Sequence, residues 1–181
     1  LTRDNDNIFN LTSRLGGRVV DKEISSISLN NDGTAIAVSC RFSRKVFTSN
    51  YISSSSTWND QFKQINIVGT SCAFNFYGSR LCIGDSIRHN LIGGITVYYL
   101  DNNNNWQLLG NLIRGEDSYT DTQSGAQYNN RIRGFFGSSV DINGIGNKVI
   151  GGADAKASNS NIPSYVGIYS LDTDANEDYL W

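Results

Sequence analysis

Three stretches of the chain align with one another without gaps: SISLNNDGTAIAVS at 26–39, SCAFNFYGSRLCIG at 71–84 and SVDINGIGNKVIGG at 139–152. Each has apolar residues at its second and fourth positions, then a polar or glycine-bearing turn, then an apolar run ending in small residues. Gly33, Gly78 and Gly146 coincide. Alternation buries one face of a strand and the turn sends the chain back beside it, so each stretch predicts a β-hairpin. The copies start 45 and 68 residues apart, a repeat carrying insertions. Stacked repeats need neighbours to cover their faces, and this requirement governs everything else.

A second unit follows each hairpin. VFTSNYISSSSTW, ITVYYLDNNNNW and VGIYSLDTDANEDYLW each give a tyrosine-bearing strand, a polar loop and a tryptophan. Trp58, Trp106 and Trp181 are the three tryptophans of the chain, one closing each unit and read as packing over a blade edge. Two hairpins per repeat make about four antiparallel strands, the size of a propeller blade. The expected fold is all-β, with three consecutive blades: 24–68, 69–136 with an inserted loop at 116–133, and 137–181. Residues 1–23 are expected to end a preceding blade.

Composition agrees with many short strands. The 22 Asn, 22 Ser and 18 Gly, beside one Pro, are turn-formers, while 39 % apolar and 11 % aromatic content excludes a disordered polar tract. An all-helical protein is excluded, and a helix-rich α/β enzyme is disfavoured. Fifteen basic against 17 acidic residues give a net charge of -2, which offers no electrostatic footprint for nucleic acid or an anionic membrane. No apolar run is long enough to cross a bilayer. The opening LTRDNDNIFN lacks the regions of a signal peptide and the chain has no Met, so it reads as a processed or excised piece of something longer.

In the third copy Phe136-Gly137 leads the first strand and Gly152-Ala153-Asp154 ends the second. That copy resembles the FG-GAP repeat, the blade of integrin α-chain-like β-propellers. WQLLGNLIRGE at 106–116 resembles the linker of surface proteins with such repeats, a W-x-x-x-G-x-x-I-x-G pattern. The likeness is partial in copy two, at Gly69 and Gly84, and degenerate in copy one, at Ile24 and Ser39. It implies an extracellular, cell-surface or virion-surface setting. Integrin-type blades often carry an Asp-x-Asp-x-Asp-Gly calcium loop in the first turn. The turns here read NNDG, FYGS and GIGN, with Asp32 the one carboxylate, so calcium dependence does not carry over.

Other candidate residues follow from local chemistry. Asp172, Asp174, Asn176 and Asp178 form D-x-D-x-N-x-D, whose alternate oxygens can converge on Ca²⁺. Glu177 stands where a glycine usually permits the sharp turn, so the competing reading is a solvated acidic hairpin tip without a cofactor. Cys72 and Cys82 fall near opposite one another across their turn, where a disulfide would close a short loop. Both also align with core positions, Ile27 and Val140 or Ala37 and Ile150, which favours buried free thiols. His89, after Asp85 and Ser86, is the one histidine, and a single loop does not supply a catalytic triad with its oxyanion hole.

In integrin-like propellers the connections between blades share a rim with those between each blade's second and third strands. The resemblance thus gathers 41–45, 85–93, 154–164 and the insertion EDSYTDTQSGAQYNNRIR at 116–133 on one rim. Tyr119 and Tyr128 offer flat apolar faces, and Arg41, Arg88, Arg131 and Arg133 offer forks for carboxylates or sugar hydroxyls. The expected role is a non-enzymatic structural or adhesion module binding a protein or glycan. The alternatives are a lectin-like propeller with sugar stacked on Tyr119 or Tyr128, and a fragment of a propeller hydrolase. Three blades do not close an ordinary ring, so the rest of a propeller or another copy of the chain is an expected partner.

Overall fold

The computed structural model describes residues 2–3, 9–10, 23–59, 61–87, 92–115, 135–154, 164–173 and 179–180. In chain order its strands begin with a short pair, β1 (Thr2–Arg3) and β2 (Phe9–Asn10). The first sheet comprises β3 (Ser26–Leu29), β4 (Ala35–Cys40), β5 (Lys45–Ile52), β6 (Thr57–Trp58) and β7 (Lys63–Ile65). The second comprises β8 (Ser71–Phe74), β9 (Arg80–Asp85), β10 (Gly94–Leu100) and β11 (Trp106–Arg114). The third comprises β12 (Phe136–Ile142), β13 (Lys148–Ala153) and β14 (Tyr165–Ser170), and a last pair is β15 (Asp172–Thr173) with β16 (Tyr179–Leu180). All ladders are antiparallel between sequential neighbours, except that β7 pairs back on β5. Among the described residues there is no helix, and three antiparallel sheets stack face to face in a propeller-like arrangement.

The three predicted hairpins form at the expected places, and the same asparagine closes each. Asn30, Asn75 and Asn143 accept, at the side-chain Oδ1, the backbone N–H of Ala35, Arg80 and Lys148 at 2.8–2.9 Å. Their Nδ2 groups donate to Thr34, Ser79 and Asn147. Their backbone carbonyls accept the N–H of Gly33, Gly78 and Gly146, which have φ of 72°, 69° and 79°. That left-handed conformation is open to glycine without a Cβ penalty, so Asn-x-x-Gly is the chemical unit of the repeat.

The sheets are joined through side chains and backbone together. Ala35, Ala37, Val46 and Ile65 of the first sheet pack on Cys72, Phe74, Leu81 and Ile83 of the second. On the other side of that sheet, Cys82, Ile95, Val97 and Leu109 pack on Phe136, Ile142 and Val149 of the third. The period of two along each strand thus gives the middle sheet two buried faces. The turns form a ladder of their own, with Asn31 N–H donating to Phe76 O at 3.1 Å and Phe76 N–H to Gly144 O at 3.2 Å. Ser26 and Ser28 Oγ accept the N–H of Cys72 and Phe74, so the edge of β8 is satisfied by hydroxyls of the sheet before it.

The copies differ in their second halves. A uniform four-strand unit holds in the second sheet, whereas the first adds the tip strand β6 before β7, and the third has three strands among the described residues. It begins at Phe136, one residue before the expected boundary. Replacing Asn75, which is 2 % exposed, should remove the most from stability. We expect Asn75→Ala to cost about 1–3 kcal/mol in urea unfolding, and Asn143→Ala less, because the groups that Asn143 satisfies at its exposed turn can turn to water. Equal losses would argue against the turn account.

Candidate functional site

Antiparallel connectivity separates two rims. The turns at 30–34, 75–79 and 143–147 lie at the same ends of the sheets as the tips 53–56 and 101–105. The connections at 41–44, 86–93, 115–135 and 154–164 leave from the opposite ends. Three of the four spring from one place. Phe136 N–H donates to Ile92 O, Gly115 N–H donates to Gly93 O, and Gly93 forms a parallel bridge with Phe136. Phe136 also faces Ala153, where the fourth connection begins.

Phe136 is fully buried and anchors this junction. Its ring stacks on Tyr165 at 5.6 Å and meets Tyr169 edge-on at 5.8 Å. Gly137, at φ 85°, comes so close to the second sheet that a Cβ on Gly84 would sit 2.1 Å from its carbonyl oxygen. That oxygen accepts the hydroxyls of Thr70 and Ser71 at 3.1 and 2.8 Å. Beside it, Asp85 and Ser86 are buried: Asp85 Oδ1 accepts Ile87 N–H, and Ser86 N–H donates to Thr70. Neither contact makes Ser86 a nucleophile.

Of the predicted ligand-binding residues, Arg41 lies exposed at the start of the 41–44 turn, which has Phe42 at its tip and Arg44 at φ 56°. Arg88, Tyr119, Tyr128, Arg131 and Arg133 lie outside the described residues, as does His89. The structure brings together the roots of the segments that carry them. Asp172 sits on β15 opposite Leu180, and Asp174, Asn176 and Asp178 lie outside the described residues. In the first hairpin, Asp32 is committed to its own turn. The Thr34 hydroxyl at 2.6 Å and the Thr34 N–H at 3.0 Å hold its carboxyl below the ordinary range. Asp101 does the same at the second tip, where the Asn105 and Asn103 N–H groups and Gln107 Nε2 keep its carboxyl low.

Of the two readings of Cys72 and Cys82, the disulfide is the one corrected, and the thiols are free and buried. Cys72 pairs with Ile83 and Cys82 with Ala73, so the two cysteines differ by one register position and point to opposite faces of the sheet. Cys72 belongs to the core shared with the first sheet and Cys82 to the core shared with the third. Both are free thiols, as is Cys40, and burial pushes the Cys72 and Cys82 thiols up.

Two features escaped the sequence reading. Phe76 and Tyr77 occupy the tip of the second turn, 50 % and 69 % exposed and in edge-on contact at 5.0 Å, next to exposed Ile145. An aromatic pair inside a turn tetrapeptide was the available signal. Trp106 does more than cover an edge: its ring packs on Phe74 and its Nε1 donates to Thr48 in the first sheet at 2.9 Å. Lys63 Nζ crosses the same joint to Asn104 O.

No protein-family model matches the chain, and no curated protein does. Among solved structures, hydrazine synthase of Kuenenia stuttgartiensis is similar at 14 % identity and a TM-score of 0.50, over 80 % of this chain and 33 % of that one. A "putative 6-phosphogluconolactonase" of Bacteroides uniformis aligns at 12 % identity and a TM-score of 0.42, over 84 % of this chain and 36 % of that one. This chain spans about a third of either, and the first likeness concerns the fold alone.

The burial of the thiols has a direct readout. With Ellman's reagent, the three cysteines should stay unreactive in native buffer and react fully in denaturant without prior reduction. A fast-reacting native thiol, or a pair that appears only after reduction, would contradict this placement.

Proposed function

We propose that the chain is a non-enzymatic propeller segment that holds long loops on one rim and binds a protein or glycan there. The observation that carries this reading is the convergence of three long connections on the buried Phe136 junction. Anchoring by backbone and core, with no demand on loop composition, is the arrangement that lets loops carry recognition. The candidate contacts are Tyr119, Tyr128, Arg131, Arg133 and Arg88 on these loops, with Arg41 from the first sheet on the same rim.

Kinship with FG-GAP-type blades is part of the proposal. It is supported by the roles of Phe136 and Gly137 at the joint and by Gly69, whose carbonyl accepts the Ser25 hydroxyl as that of Gly137 accepts the Thr70 hydroxyl. A cell-surface or virion-surface setting follows from that kinship and from the Asn- and Ser-rich turns. The second reading, a sugar-binding surface, is favoured by exposed Phe76 and Tyr77 on the opposite rim, since paired aromatic faces can stack on a sugar ring. A hydrolase reading rests on no arrangement of described residues.

A glycan array and a pull-down against surface-protein extracts, followed by titration of the best hit, test this directly. Arg131→Ala with Arg133→Ala, and Tyr119→Ala with Tyr128→Ala, should each weaken binding about tenfold or more without shifting Tm. Loss confined to Phe76→Ala with Tyr77→Ala would move the site to the turn rim. Binding indifferent to all three pairs would sink the loop-rim proposal.

A further inference from the structure

The edges of the first two sheets enclose a hollow that the loop-rim reading does not use. β7 and β11 are edge strands, on the side of their sheets away from β3 and β8. Between them lies a space of about 460 Å³ lined by Lys63, Gln64, Ile65, Asn66, Asn105 and Trp106. A volume of this size suits a small ligand. Two bonds span the joint beside it and fix its walls. Trp106 Nε1 donates to Thr48 Oγ1 at 2.9 Å, and Lys63 Nζ donates to Asn104 O.

The walls carry two kinds of chemistry. Trp106 is half-buried, with the Phe74 ring 6.0 Å away and tilted by 33°. Phe74 does not line the hollow, so the indole surface turned to it is the part that Phe74 leaves uncovered. Buried Ile65 adds a second apolar surface. Around these stand three exposed amides. Gln64 Nε2 donates to Asn66 Oδ1, which leaves Gln64 Oε1 as an acceptor and Asn66 Nδ2 as a donor. Asn105 closes its turn through its backbone, and its side-chain amide bonds to no other described residue. The one cation is engaged: Lys63 is bound to Asn104 O, and the Asp101 carboxylate of the same tip offsets its charge.

We propose that this hollow is a subsite for one ring of a neutral saccharide. A pyranose has an apolar face of C–H groups and an edge of hydroxyls that both donate and accept. The face matches the indole, and the edge matches amides, which also donate and accept. An apolar ligand would take water from the amides without replacing its hydrogen bonds. A charged sugar finds the one cation already satisfied. β7 has three residues, too short an edge to hold an added peptide strand. Because Thr48 and Phe74 already hold the indole, little side-chain freedom is lost on binding. No rim-loop residue takes part, so the subsite stands or falls apart from the loop-rim reading.

Titration of the isotope-labelled full chain, read by NMR at the three tryptophan indole N–H signals, tests the proposal. The probes are cellohexaose, mannohexaose and chitohexaose, with hexagalacturonate as the charged comparison. Trp106→Phe identifies the Trp106 signal. Expected is a saturable shift of that signal with at least one neutral sugar, at a Kd of about 0.1–1 mM. The Trp58 and Trp181 signals should stay in place. Gln64→Ala with Asn66→Ala, both at exposed positions, should weaken binding about tenfold at unchanged Tm. No saturable shift with any of the three neutral sugars up to about 10 mM would overturn the proposal. So would a shift with hexagalacturonate alone, or binding indifferent to the loss of the two amides.

Discussion

The structure depends on the joint between one sheet and the next. A single antiparallel sheet of this length has two apolar-bearing faces and cannot hide either on itself. Stacking gives each face a partner, and the Asn-x-x-Gly turns bring the sheets into register. The N–H groups of Asn31 and Phe76 reach the carbonyls of Phe76 and Gly144 across the gap. With side-chain interdigitation alone, neighbouring sheets could slide. The turn ladder and the Ser26 and Ser28 hydroxyls give the packing a fixed offset, because a shift of one residue would strand buried backbone groups.

This economy explains the composition better than a general preference for turn-formers. Asn30, Asn75 and Asn143 close the turns, Ser25, Ser26, Ser28, Thr70 and Ser71 bridge sheets, and Gly84 and Gly137 permit a backbone approach that a Cβ would block. Small polar residues do the joining here while aliphatic side chains do the filling.

The hairpins were legible because alternation and a coincident glycine are local properties, repeated three times. The core positions of Cys72 and Cys82 were legible by alignment with aliphatic residues in the other copies. Their relation to each other was not, since counting across a turn leaves a one-residue uncertainty and that residue decides the face. The turn asparagines went unnoticed because asparagine is common throughout the chain, and its role at 30, 75 and 143 shows only when its side-chain oxygen is seen accepting the N–H five residues on, across the turn. Phe136 drew notice through its resemblance to a known repeat, but its place at the root of three loops depends on contacts made far along the chain. Exposed Phe76 and Tyr77 ran against the expectation that turn tips are polar.

The claim beneath all of this is that stability comes from faces covered by neighbours, so it should be graded along the stack. Native-state hydrogen exchange in dilute solution measures that gradient most directly. The account predicts the slowest exchange in β8, β9 and β10, whose sheet is covered on both sides, with markedly faster exchange in β3 and β14 at the outer faces. Uniform protection across the three sheets, or the slowest amides in the first or third, would contradict it.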